Sequence, residues 1–218
     1  ASPTKRSHAL ARSGLRFLNA ESNDHAVLAA AGFRKLATAG TVAELCLCSD
    51  ASARLAATHG KWRNQWRRAQ QAPVTLRQER FDRANHQWLL DADNAQQRQK
   101  RFRGLPHILI DALATENAAN VHVAYLDATP VAAMLFIMHP PVVTYHIGWT
   151  SPEGRRWGLH HRLILDAAAT FADQAYCRLD LGSVDTENAP GLARFKIGTG
   201  AQIRSLGGSW MRFGFMRR

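Results

Sequence analysis

With 218 residues, 46% of them apolar, the chain has length for one domain and a sizeable core. No apolar run approaches the roughly 20 residues that span a bilayer, and the basic opening leads into no apolar segment with a small-residue cleavage site, so neither a span nor a secretory leader is expected and a cytoplasmic protein is. Lys and Arg number 28 against 17 Asp and Glu, a net charge of +11 that suits a nucleotide-containing cofactor, RNA, an anionic lipid surface or an acidic acceptor, and equally plain solubility.

Residues 1–24 carry no clear period and read as an irregular lead-in. The run Ala26-Val27-Leu28-Ala29-Ala30-Ala31 with Gly32 after it suggests a short helix closed by glycine. Residues 33–37 and 41–48 read as strands, and Ser49-Asp50 cap a helix over 51–71. A strand over 74–80 precedes helices over 82–98 and 106–115, the second opened by Pro106. Strands follow at 121–126, 131–138 and 142–149, the first two joined by the turn residues Asp127-Ala128-Thr129-Pro130. A helix over 157–176 is marked by Leu159, Leu163, Ile164, Ala167, Ala168 and Phe171 at three- and four-residue spacing. Short strands at 178–181 and 202–213 close the chain. This is an α/β arrangement with a mixed sheet, in which 1–40 reads as an N-terminal extension or partial subdomain and 41–218 as the main domain.

Cys46, Cys48 and Cys177 are too few and too unevenly placed for a disulfide framework or a zinc site, and no metal is expected. Lys61-Trp62-Arg63-Asn64-Gln65-Trp66-Arg67-Arg68 sets two tryptophans on one helix face among cations. Such a face fits phosphate contact with base stacking, or tryptophans packed in a core with arginines in water. Arg98, Lys100, Arg101 and Arg103 form a second basic cluster before Pro106.

Three segments stand out in order: Tyr145-His146-Ile147-Gly148-Trp149-Thr150-Ser151, then Asp180-Leu181-Gly182-Ser183, then Gly191-Leu192-Ala193-Arg194-Phe195-Lys196-Ile197-Gly198-Thr199-Gly200. Together they resemble the acyl-transfer half of the Fem-like branch of the GCN5-related N-acyltransferases, over roughly residues 40–210. The resemblance implies a GNAT-like fold, a mixed but mostly antiparallel sheet flanked by helices, and an enzyme that transfers an acyl group to a small-molecule or peptide amine. It implies acyl-coenzyme A as co-substrate, with aminoacyl-transfer RNA as the alternative donor. A basic adaptor that has lost the chemistry is a further reading.

The resemblance also directs attention to particular residues. The strand around Tyr145, Ile147 and Gly148 would hold the donor carbonyl, and the helix start at Arg155, Arg156, Trp157 and Gly158 its phosphates, since a helix amino end presents unpaired amides and a positive dipole. Arg155-x-x-Gly158 matches half of the superfamily's coenzyme A motif; His160 replaces its second small residue. The matching Phe-Lys pair places Lys196 at the substrate cleft, where a cation stabilises an oxyanion. Glu187, Asp185 and His146 are the candidate proton acceptors for the attacking amine, and a dedicated base is not required. No cysteine or serine has a convincing base beside it in sequence, so direct attack is expected.

Overall fold

The computed structural model describes residues 2–21, 24–37 and 40–213. Helix α1 (Pro3–Arg12) opens the chain, capped by Ser2 Oγ, which accepts from the Lys5 amide at 3.4 Å. Strand β1 (Phe17–Ala20) and helix α2 (His25–Ala30) follow. Gly32, at φ +83°, then turns the chain into β2 (Arg34–Ala37). The expected irregular lead-in is therefore ordered. It lacks a visible period because only Leu10, Leu18 and Ala20 of it pack on the small core formed by Leu28, Ala31, Phe33 and Trp210.

Strand β3 (Thr41–Cys46) leads into α3 (Ala51–Ala57) and α4 (Gly60–Gln70), two helices where one over 51–71 was expected. Thr58 and His59 are extended between them. Arg63 Nη2 secures the break by donating to the Ala56 and Thr58 carbonyls, each at 2.7 Å. Next come β4 (Thr75–Arg80), α5 (Arg83–Lys100), α6 (His107–Thr115), β5 (Ala119–Leu126), β6 (Thr129–His139) and β7 (Val142–Thr150). The expected helix over 157–176 is also divided. Helix α7 (Pro152–Trp157) ends at Gly158 in the left-handed region, φ +72°, and α8 (Leu159–Asp173) starts directly after it. The remaining elements are β8 (Arg178–Ser183), α9 (Pro190–Gly198), β9 (Gln202–Ser205) and β10 (Gly208–Met211).

Among the described residues the strands form a seven-stranded sheet, ordered β4-β5-β6-β7-β8-β3-β9, and a three-stranded one, β1-β10-β2. Only β7 and β8 are parallel neighbours; the other pairs are antiparallel. The final strand expected over 202–213 is two strands in different sheets. Leu206 donates to the Gly40 carbonyl at 2.8 Å and Gly207 to the Ala20 carbonyl at 2.7 Å, redirecting the chain between them. The β10 strand pairs with β1 and β2, so this sheet draws on residues from both sides of position 40.

The large sheet is sandwiched. On one face α4 and α8 supply Trp62, Ala69, Leu159, Leu163, Ile164 and Phe171; the buried α8 residues are those whose spacing marked the helix. The other face is covered by Leu89 and Leu90 of α5 and Ile110 of α6. The mixed, mostly antiparallel sheet with helices on both faces is the architecture that the sequence resemblance implies. Among the described residues no helix is long and apolar enough to cross a membrane.

Candidate active site

The seam of the large sheet lies between β7 and β8, because each pairs away from the other, β7 with β6 and β8 with β3. They share only the pairs Val142–Arg178, Val143–Leu179 and Thr144–Asp180. Among the described residues no strand lies along that edge of β7 beyond Thr144. Crevices at the carboxyl ends of parallel strands, where neighbours diverge, are where open α/β sheets bind ligands. A bulge bends β7 at this point: Leu135 opposes Ile147 and Phe136 opposes Tyr145, leaving His146 as the extra residue. The bulge also inverts the alternation, so Tyr145 packs with the α4–α8 core and Ile147 with the α5–α6 core.

Tyr145 folds back over Gly148. A Cβ at Gly148 would lie 1.8 Å from the Tyr145 hydroxyl, so only glycine fits beneath it. Burial raises the tyrosine pKa, keeping the hydroxyl protonated. The Gly148 carbonyl accepts from Gln96 Nε2 at 3.2 Å, and the Trp149 carbonyl from His160 Nε2 at 2.8 Å. That bond fixes the proton of His160 on Nε2. Burial, offset by the Trp149 bond and reinforced by His161, Arg155 and Lys100, lowers its pKa to about 4, so the ring is neutral near pH 7. Sequence reasoning saw in His160 only a departure from a motif; its role as a prop for β7, like that of Gln96, had no local signal.

Lys196 stands at the end of β8. Its side chain is 5% exposed, and Nζ donates to the Ser183 carbonyl at 2.7 Å, at the carboxyl end of β8. Asp180 Oδ1 accepts from the Gly182 amide at 2.7 Å and tightens that end of the strand, with Gly182 at φ +76°. Burial pushes the Lys196 ammonium below the ordinary lysine range, and the Asp180 charge opposes that shift. The spacing of the Phe195-Lys196 segment is explained by α4. Trp62 Nε1 donates to the Phe195 carbonyl at 3.0 Å, and a Cβ on Gly198 would stand 2.3 Å from Trp62 Cδ1. A Cβ on Gly200 would stand 2.6 Å from the Ala57 carbonyl oxygen. Two glycines therefore let α9 press against α3 and α4 and aim Lys196.

The helix start expected at Trp157 lies elsewhere. Trp157 ends α7, with Nε1 donating to Glu153 Oε1 at 2.9 Å, and Gly158 donates its amide back to the Arg155 and Gly154 carbonyls. The amino end of α8 lies at Leu159 and His160, with Leu159 fully buried and no side-chain cap on its amides. Arg155 and Lys100 both act electrostatically on His160, which places two cations at this end. Arg155 Nη2 bonds the Thr150 carbonyl at 3.4 Å, and Arg156 pairs with Glu153 at 3.7 Å while remaining exposed.

His146 belongs to the α5–α6 side. Its pKa is lowered by burial, raised by Asp93 and lowered by His107. Asp93 Oδ2 lies 3.0 Å from His107 Nε2. Asp185 is occupied in its own loop, accepting from the Asn188 amide at 2.8 Å, the Asn188 side chain at 2.8 Å and the Glu187 amide at 3.0 Å, which hold its carboxyl below the usual range. Glu187 is exposed on the same loop before α9. The structure thus gathers Tyr145, His146 and Gly148 on one strand, with Lys196 at the end of the neighbouring one, and leaves Asp185 and Glu187 in a surface loop. Among the described residues no cluster of His, Cys, Asp or Glu is arranged to hold a metal ion.

Residues 29–196 match the model of the acetyltransferase (GNAT) domain. No curated protein matches the chain. Among solved structures, the fold is similar to that of FemX, with a TM-score of 0.73 and 14% identity over 85% of this chain and 67% of that one. It is similar to the C-terminal domain of a lysylphosphatidylglycerol synthetase, so described as putative, from Agrobacterium fabrum, at TM-score 0.63 and 15% identity over 97% of this chain and 72% of that one. The L-PGS structure from Bacillus licheniformis gives 0.61 and 16% identity over 94% and 70%. At these identities the likeness is one of fold.

Proposed function

The chain belongs to the acetyltransferase (GNAT) domain family and is an acyltransferase, and from that premise we propose that it moves an acyl group from an acyl-coenzyme A thioester to an amine by direct attack. The observation that carries this reading is the parting of β7 from β8 after Thr144 and Asp180, with the buried Lys196 ammonium at the end of β8. The thioester carbonyl would lie along the free edge of Tyr145–Gly148. As the amine nitrogen bonds the carbonyl carbon, negative charge collects on the oxygen, and Lys196 and backbone donors stabilise it. Collapse of the tetrahedral intermediate breaks the carbon–sulfur bond and releases the coenzyme A thiolate, while the amine loses a proton.

Of the three candidate acceptors for that proton, His146 fits best. Burial favours its neutral form, which can accept a proton, and it stands on the strand that would hold the carbonyl. The donor's pyrophosphate would meet the amino end of α8, with Arg155 and Lys100 beside it. The acceptor would be a small-molecule or peptide amine.

A second reading has specific support. Helix α7 fills the segment between β7 and α8, and the Gly158 amide is bound within it. Together with the FemX-like fold, this favours aminoacyl-transfer RNA as donor. Thermal shifts separate the two. A donor present at 100 times its Kd should stabilise the protein by about 2.7 kcal/mol. Acyl-coenzyme A should do so, and Arg155→Ala should weaken its affinity by about 1–3 kcal/mol, the scale of hydrogen bonds to charged groups. Stabilisation by aminoacyl-transfer RNA alone would move the second reading ahead.

A further inference from the structure

Lys100 apart, the segment joining α5 to α6 carries a feature that the acyl-transfer reading does not use. Between Asp93 and Asp111 the chain bears Arg98, Lys100, Arg101 and Arg103 and no acidic residue. All four cations are exposed. Among them stand large apolar side chains left partly open to solvent: Phe102 is 46% exposed, Ile108 73% and Leu109 45%. Ile110, the next residue along α6, is fully buried, so the helix is anchored while its first turn presents aliphatic side chains outward.

This surface is held in place. Gln97 accepts from the Gly104 amide through Oε1 at 2.8 Å and donates through Nε2 to Asp93 Oδ2 at 2.6 Å. The same carboxylate holds His107 at the start of α6, at 3.0 Å. Arg101 sits in the left-handed region at φ 54°, and Phe102 donates its amide back to the Gln97 carbonyl at 3.2 Å. One buried aspartate thus fixes both ends of the loop that displays the cations and Phe102.

We propose that Phe102, Ile108 and Leu109, ringed by Arg98, Lys100, Arg101 and Arg103, form a docking surface for an anionic lipid bilayer. Cations without acidic neighbours are drawn to a negatively charged headgroup layer, and apolar side chains beside them gain by entering the boundary with the acyl chains. Ile108 and Leu109 decide between partners: aliphatic side chains add nothing to phosphate contact or base stacking, so RNA leaves them unexplained. Asp93 and His107 also act on His146, so docking would bring this side of the β7 opening close to the membrane. The inference goes beyond the acyl-transfer reading and stands or falls independently of it.

The test is co-sedimentation of the full chain with vesicles of about 3:1 phosphatidylcholine to phosphatidylglycerol, against phosphatidylcholine alone, with binding weakening about fivefold for each cation removed from near the surface. Phe102→Ser, Ile108→Ser and Leu109→Ser together should reduce binding by at least about tenfold, the loss of roughly two buried methylene equivalents or more. Arg98→Gln, Arg101→Gln and Arg103→Gln together should nearly abolish it. Amide hydrogen exchange on the vesicle-bound wild-type protein should slow across residues 98–109, a readout that needs no variant. Absence of binding to the anionic vesicles, equal binding to neutral ones, indifference to the serine substitutions, lack of protection at 98–109, or displacement of the protein from vesicles by RNA through this segment would each overturn the proposal.

Discussion

Lys196 carries a charge in a place that opposes it. Burial pushes its pKa below the ordinary lysine value of 10.5, while Asp180 pulls it back. If the charge stabilises the oxyanion, turnover should fall as pH rises through a value below 10.5, and Asp180→Asn should move that alkaline limb to lower pH. Lys196→Ala should reduce turnover by at least about tenfold, roughly 1.4 kcal/mol of transition-state stabilisation, and remove the limb. Turnover unchanged in Lys196→Ala would take the residue out of the chemistry. The Phe195-Lys196 pair and Gly148 stood out in sequence because they lie in segments with a recognisable order. Gln96 and His160 did not, because each holds a β7 carbonyl through a side chain whose partner depends on how α5 and α8 lie against the sheet.

The elements around α9 meet at a contact with no spare room. Gly198→Ala would put a methyl group 2.3 Å from Trp62 Cδ1, so either the helix or the indole must move. Overpacking of this sort costs about 1–3 kcal/mol. Because Lys196 rides on the same helix, turnover should fall with stability; denaturant unfolding and initial rates on one preparation would check both, and wild-type values would mean that α9 is loosely held. The contact also bears on the tryptophan–arginine segment, whose Lys61, Arg67 and Arg68 stay exposed. Trp62 is 5% exposed in the core, and the Arg63 guanidinium is engaged by the Ala56 and Thr58 carbonyls rather than open to phosphate. Periodicity identified α5, α8 and the β5–β7 meander because their buried faces repeat regularly. It ran straight through the breaks at Thr58 and Leu206, which are secured by distant partners: the His59 amide bonds the Gly198 carbonyl at 3.0 Å, and Leu206 bonds Gly40.

Across the whole molecule, two enclosed histidines make the fold sensitive to acid. His122 lies between Phe136 and Phe171, with ring centroids 5.2 and 5.5 Å away, and burial lowers its pKa from 6.5 to about 4. His160 is shifted to a similar value. The unfolded chain therefore binds protons that the folded one refuses, and stability should decline as pH falls from about 6.5 towards 4, by on the order of 3 kcal/mol per histidine. Glu44, whose pKa Arg204 holds down, adds its loss only below about 4.5. Urea denaturation at a series of pH values should show this decline, and His122→Leu should make it shallower. A flat profile between pH 7 and 5 would mean that neither ring is sealed as described. The sign of the net charge was plain from composition; these neutral histidines were not, since only the assembled core determines which rings lose water.

The placement of β10 between β1 and β2 also governs when the molecule can become whole. On a ribosome, β1 and β2 emerge well before the strand that joins them. In the meantime Phe17 and Leu36, which remain half exposed even in the finished sheet, sit on strands without a neighbour. The same delay applies to β3, whose partners β8 and β9 both lie far on in the sequence. Neither sheet can close until β9 and β10 have emerged, a topology of long-range contacts that folds slowly and relies on the nascent chain being kept apart from its copies.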